Sequence, residues 1–143
     1  FFAKSTYSSG FDMSNYDKFK FFLYIKDTTA VSPNESNFIM RVGGDENNYY
    51  QYSIPITDDM KGKWNVLEIK QPGYGASAVW DVNDPKITKV GEPSLQKIAF
   101  IETGVQTNGA DKGEIWINEI HVTDAKSKMN RIMSAYILEQ KPT

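Results

Sequence analysis

This 143-residue sequence predicts an all-β fold of antiparallel strands, packed as a sandwich or closed as a barrel. Three observations carry that expectation. Short segments with apolar–polar alternation recur along the chain, clusters of Gly, Pro, Asn and Asp separate them at near-regular intervals, and no segment holds a helical period. The most telling stretch is 113–123, GEIWINEIHVT, where a turn signal precedes a run of β-branched and aromatic residues interrupted by the polar pair Asn118 and Glu119. The stretches 47–56, NNYYQYSIPI, and 90–95, VGEPSL, share its cadence.

The first strand in this reading is 16–26. Phe19, Phe21, Leu23 and Ile25 share one face, and Lys18, Lys20 and Lys26 the other. That is the period of a half-buried strand. After a loop containing Pro33 and Asn34, residues 37–42 repeat the pattern with Phe38, Met40 and Val42 inward and Arg41 outward. The cluster 43–48, GGDENN, tolerates positive φ and bonds its own backbone, so it predicts a hairpin turn. Its return strand, 49–56, pairs with 37–42 and carries Tyr50, Tyr52, Ile54 and Ile56 on one face and Tyr49 on the other. Pro55 marks an edge or a strand end.

Residues 64–70 form the next strand, with Leu67 and Ile69 inward. Residues 71–85 are rich in Gly, Pro, Asp and Asn and carry Tyr74 and Trp80, which reads as a long ordered loop rather than a linker. A short strand at 87–90 and a turn at 91–94 lead into 97–103, with Ile98 and Phe100 assigned to the core. A polar loop at 104–112 precedes the strand 114–123, in which alternation places Trp116, Ile120 and Val122 inward and His121 outward. A charged turn at 124–128 and a last strand at 131–139 complete the series.

The length suits a single domain, 1–143, with its own core. Hydrophobic residues at 40%, charged residues at 24% and aromatics at 13% describe a globular chain. A net charge of −2 with interspersed signs lacks the basic footprint that phosphate backbones require, so nucleic acid is not an expected partner. No apolar run approaches the roughly 18 residues of a membrane-spanning helix, so direct insertion of this segment is not expected either. The absence of cysteine excludes disulfides, thiolate catalysis and zinc–thiolate sites. The chain opens on Phe1 with no basic-apolar leader following, which reads as a leader removed or a piece of a longer chain.

Four segments in order carry a family resemblance: SSGFDMSNY from Ser8, RVGGDENNYYQYSIPI from Arg41, VGEPSL from Val90 and GEIWINEIHVTDA from Gly113. Together they resemble the repeated extracytoplasmic β-domains of SprA-type outer-membrane translocon proteins of gliding motility and type IX secretion. The resemblance spans nearly the whole chain. It implies a jelly-roll, galactose-binding-like sandwich without enzymatic activity, located at the cell surface or in the periplasm of a Gram-negative bacterium. Its partners would be other domains of a very large parent protein, or other surface proteins. Galactose-binding-like sandwiches also include carbohydrate-binding modules, in which an acidic residue on the penultimate strand helps hold a structural calcium; the matching position here is Asn118 or Glu119.

The residues themselves offer three candidate chemistries. Tyr49, Tyr74 and Trp80, with Tyr50 and Tyr52 nearby in sequence, could form an aromatic platform for a glycan, since ring faces stack on C–H-rich sugar faces. Asp81, Asn83 and Asp84 in the long loop supply hard oxygen donors of the kind calcium takes, while turn chemistry also accounts for them. The carboxylates Glu114 and Glu119 superficially match the paired-carboxylate strand of laminarinase-type glycoside hydrolases. Retaining hydrolysis needs two carboxyls about 5–5.5 Å apart, and an odd separation puts these two on opposite faces unless a bulge intervenes. Trp116 also stands where that motif has its central acid. His121 is the only histidine, and no nucleophile-elbow sequence accompanies it. No catalytic residue is therefore expected.

Overall fold

The computed structural model describes residues 2–26, 36–107 and 114–126. It is an antiparallel sandwich of a five-stranded and a three-stranded sheet. The strands in chain order are β1 (Phe2–Phe11), β2 (Tyr16–Ile25), β3 (Ser36–Asp45), β4 (Asn48–Pro55), β5 (Trp64–Lys70), β6 (Ile87–Val90), β7 (Ile98–Thr107) and β8 (Ile115–Ala125). The larger sheet runs β1-β7-β3-β4-β6 and the smaller β5-β2-β8. Within these orders β3–β4 is the one pair of sheet neighbours that also follow each other in sequence, so most connections cross from one sheet to the other or skip a strand.

The hairpin of β3 and β4 pairs Phe38 with Ile54, Met40 with Tyr52 and Val42 with Tyr50, the partnership that alternation predicts. Its turn is closed by Asp45, whose Oδ1 accepts the Asn47 amide at 2.8 Å and the Asn48 side-chain amide at 3.0 Å. Gly43 lies opposite Tyr49 on one side and Phe100 on the other. A Cβ there would come within 2.2 Å of the Asn48 carbonyl oxygen, so only glycine lets the two strands close at this point.

The inner faces meet along period-two sets in β2, β3 and β4; in β7 that phase holds from Ile101 to Val105, and Ile98 at the start of the strand enters the core out of phase. Phe19, Phe21, Leu23 and Ile25 of β2 pack against Phe38, Met40 and Val42 of β3, Tyr50 and Tyr52 of β4, and Ile98, Ile101 and Val105 of β7. The Phe21 ring stands 5.7 Å from that of Phe38 and meets Tyr52 edge-on at 6.2 Å. Leu67 is half-buried against this cluster and Ile69 is fully within it.

Four sequence expectations shift. β1 pairs with β7 at the edge of the large sheet although its Ser- and Gly-containing sequence shows no alternation. Phe100 is buried, but on the outer face, where Lys4 lies over its ring at 4.6 Å. β7 continues through Thr107, into the stretch expected to loop. Trp116 and Ile120 do not enter the core: they are 47% and 38% exposed. The cause is a register shift between the pairs Lys20–His121 and Phe22–Asn118, a one-residue bulge at which Glu119 takes φ 51°. Before the bulge Ile115 and Ile117 face inward, opposite Ile25 and Leu23; after it Val122 faces inward, opposite Phe19. The expected alternation has the phase of the second half and fails in the first. The predicted strand 131–139 lies outside the described residues.

The connection from β5 to β6, residues 71–86, carries the chain from the small sheet to the large one. It is ordered by Trp80, 1% exposed, whose indole stacks on Tyr50 at 5.6 Å and tilts against Phe19 at 5.4 Å. The indole Nε1 donates to Gln71 Oε1 at 2.9 Å. Gln71, buried as well, donates through Nε2 to the carbonyls of Met13 and Tyr16, each at 3.0 Å. One amide thus ties the loop to the β1–β2 connection.

Trp80→Ala should therefore lower unfolding stability by about 3–5 kcal/mol, the range for removing a buried aromatic ring, measured by urea denaturation. Gln71→Leu keeps the volume but strands the indole N–H and two carbonyls. It should cost at least about 2 kcal/mol in the same experiment; an unchanged midpoint would show that the network contributes nothing.

Candidate functional site

The residues singled out by sequence do not converge. Trp80 has no face left for a sugar. Tyr49 points to the opposite side of the large sheet, where Arg41 lies over its ring at 5.3 Å and Phe100 meets it edge-on at 6.3 Å. Tyr74 is exposed on the connecting loop, at the start of a short 3-10 turn, Gly75–Ser77. The three rings form no common platform.

Asp81, Asn83 and Asp84 shape the chain. Asp81 Oδ1 accepts the Asn83 amide at 2.9 Å and Asp84 Oδ1 accepts the Lys86 amide at 3.0 Å, two successive side-chain-closed turns. Among the described residues no three acidic or histidine side chains gather as a cation site. Asn118 and Glu119 serve the bulge: Asn118 Oδ1 accepts the Glu119 amide at 2.9 Å, and the His121 ring bonds to the Glu119 carbonyl. Glu114 precedes β8 and pairs with Lys26 at 3.3 Å. Five residues along a strand rising about 3.3 Å each hold Glu114 and Glu119 far beyond the spacing of a hydrolase pair.

What the fold does bring together is the outer face of the small sheet. Register aligns Trp64, Tyr24 and Trp116 in one cross-strand row, then Val66, Phe22 and Asn118, then Glu68, Lys20 and His121, then Lys70, Lys18 and Thr123. Tyr24 stacks on Trp116 with centroids 4.9 Å apart and planes at 15°, and meets Trp64 at 5.4 Å and 54°. Trp64 is 46% exposed, Val66 56% and Trp116 47%, and these three make one end of the face apolar. The other end is ionic. Lys20 reaches Glu68 at 3.0 Å, and Lys18 bridges Glu68 at 3.9 Å and Asp124 at 3.3 Å. The Lys20 ammonium holds the Glu68 carboxyl below its ordinary pKa.

Tyr24, Phe22, Trp64 and Val66 are the surface residues that the sequence reading passes over. The signal was the same period two that sends Phe21 and Leu23 inward: it sends large apolar residues to a face that otherwise carries lysines. An exposed aromatic row is informative where a scattered surface residue is not.

No protein-family model matches the chain, and no curated protein is significantly similar to it. The fold and this face define an all-β, two-sheet antiparallel sandwich domain.

Because Glu119 is held at positive φ by the bulge, Glu119→Gly should be neutral or stabilising by up to about 1 kcal/mol, and Glu119→Val destabilising by more than that. Thermal melts of the two variants check the sign. A more stable valine variant would remove the bulge from the account.

Proposed function

We propose that this chain is a non-catalytic interaction module of a large cell-surface or secretion-associated bacterial protein, docking through the outer face of its small sheet onto a neighbouring domain of the same parent protein. The observation that carries the reading is the row Trp64–Tyr24–Trp116, flanked by Val66 and Phe22 and bordered by paired charges. An apolar centre with Trp and Tyr anchors and a polar rim is the anatomy of a protein interface.

Ring geometry favours a protein over a polysaccharide on this face. Planes at 15° with centroids 4.9 Å apart are an offset stack, so Tyr24 and Trp116 turn faces toward each other rather than lying side by side as a flat platform. A sugar strand would meet ring edges there, whereas aliphatic side chains can pack between and around them. The resemblance of the four segments to the repeated domains of SprA-type translocon proteins supports the same reading, with a jelly-roll, galactose-binding-like module placed outside the cytoplasm and contacting its neighbours in series.

The test is a binding titration of this chain against adjoining domains of its parent protein. Trp64→Ala and Trp116→Ala remove exposed rings and should leave the melting temperature near that of the parent, while each weakens association by about 2 kcal/mol or more, the range for interface hot spots. Undiminished association in the double variant would refute the docking face. Glycan binding lost in the same variant would transfer the face to carbohydrate recognition.

A further inference from the structure

Four strands end the two sheets, β1, β6, β5 and β8, and three of their free edges are blunted. β1 breaks register between Thr6 and Phe11, β6 is four residues long, and β8 carries the bulge at Glu119. β5 has none of these devices. Its seven residues, Trp64–Lys70, pair with β2 without a break and include no proline, and among the described residues no strand lies on its other side. The ladder fixes which groups that edge offers. The Gln71 amide donates to the Asp17 carbonyl at 2.7 Å, and in the same register Ile69, Leu67 and Asn65 turn their main-chain groups to β2. The N–H and C=O groups of Trp64, Val66, Glu68 and Lys70 therefore point out of the sheet, where a further strand can pair with them.

The order of side chains along this edge decides which strand fits. An antiparallel pair related by a two-fold axis at Leu67 overlaps the whole of both strands and brings outward main-chain groups only onto outward ones. Trp64 then stands opposite Lys70 of a second copy, and Val66 opposite Glu68 of that copy. Such a register makes about eight main-chain hydrogen bonds, within the usual complement of a specific interface. Its side chains match as well. Lys70, which forms no salt bridge among the described residues, comes to the exposed ring of Trp64 as a cation–π partner. Glu68 is drawn to Lys20 of β2 at 3.0 Å, so its charge is turned away from the free edge. Leu67, half-buried against the core, meets its own copy.

Beside the end of β5 a cleft of about 670 Å³ opens between the sheets, toward β4 and β6. Its rim carries Asp17, Glu68, Asp81 and Asp84 against three lysines, an excess of one carboxylate. Carried one residue beyond the strand, the two-fold register sets Lys63 of the second copy opposite Gln71 at the lip of this cleft, and its ammonium balances the rim.

We propose that this chain forms a two-fold homodimer by antiparallel pairing of β5 with β5 of a second copy, joining two three-stranded sheets into one of six strands. The contact is a sheet edge and stands independently of the docking face; Trp116, on β8, lies two strands away from it.

Sedimentation equilibrium of this chain should show a concentration-dependent monomer–dimer equilibrium. Val66→Pro removes an outward N–H and no bond to β2, so the variant should stay folded by circular dichroism while dimerisation weakens by about tenfold or more. Trp116→Ala should leave dimerisation unchanged. Because the chain has no cysteine, single-cysteine variants report the register, independently of how the proline variant folds. Under mild oxidation Leu67→Cys should cross-link, since a non-hydrogen-bonded pair at the axis has Cα atoms about 4.5 Å apart. Val66→Cys should not, its copy being a diagonal neighbour at about 7–8 Å. Four results would overturn the proposal: a monomer at about 1 mM, full dimerisation in a folded Val66→Pro, cross-linking of Val66→Cys as readily as Leu67→Cys, or loss of the dimer in Trp116→Ala. The last would move self-association to the outer sheet face.

Discussion

The packing of Trp80 between Phe19 and Tyr50, with its N–H bound to Gln71, is the constraint on which the rest of this sandwich depends. A two-sheet sandwich whose chain passes repeatedly between layers leaves an opening wherever a connection crosses. Here the indole fills the space between Phe19 of β2 and Tyr50 of β4. Gln71 turns that contact into a specific one, because its amide also satisfies two carbonyls of the β1–β2 connection. Two stretches distant in sequence, the 71–86 connection and residues 13–16, are held together by one side chain. An apolar residue of similar volume would fill the space and leave three polar groups without partners.

The same wedge determines what the surface beside it can do. With Trp80 anchored, Pro72, Asp81 and Asp84 stand at fixed positions along the cleft, and the two side-chain-closed turns after Trp80 hold the acidic residues outward. The loop is ordered by burial at its centre and by local hydrogen bonds beyond it. Lys18, Glu68 and Lys70 belong both to the ionic end of the outer sheet face and to the rim of the cleft, so the two surfaces adjoin through charged residues rather than apolar ones.

A single inserted residue gives the small sheet its asymmetry. β8 carries apolar side chains in both phases: Ile115 and Ile117 in one, Ile120 and Val122 in the other. A regular strand would send one of these sets to solvent. The bulge at Glu119 instead lets Ile115 and Ile117 enter the core before it and Val122 after it, and the side chain so released to the outside is Trp116, beside Tyr24. The polar pair Asn118 and Glu119 is thus the device that changes phase, with the Asn118 side chain holding the Glu119 amide.

The strands with clean alternation are legible from side-chain order alone: β2, β4, β5 and most of β3 follow from side chains that fit one pleated, half-buried surface, and the hairpin between β3 and β4 follows from its turn residues. These are local properties, set by the period of the backbone and by which residues tolerate a turn. β1 had no such pattern, because an edge strand is specified by the partner it pairs with, here β7. Trp80 stands in a loop rich in Gly, Pro and Asp, where a ring can stack on a ligand or pack inward; the sequence favours packing but does not name the partners, Phe19, Tyr50 and Gln71, which the crossing of the loop between layers supplies. Which aromatics are buried and which are displayed is settled by the packing of the two sheets. That choice rests on strand register and on a one-residue bulge, and a shift of one position exchanges the faces of every side chain that follows.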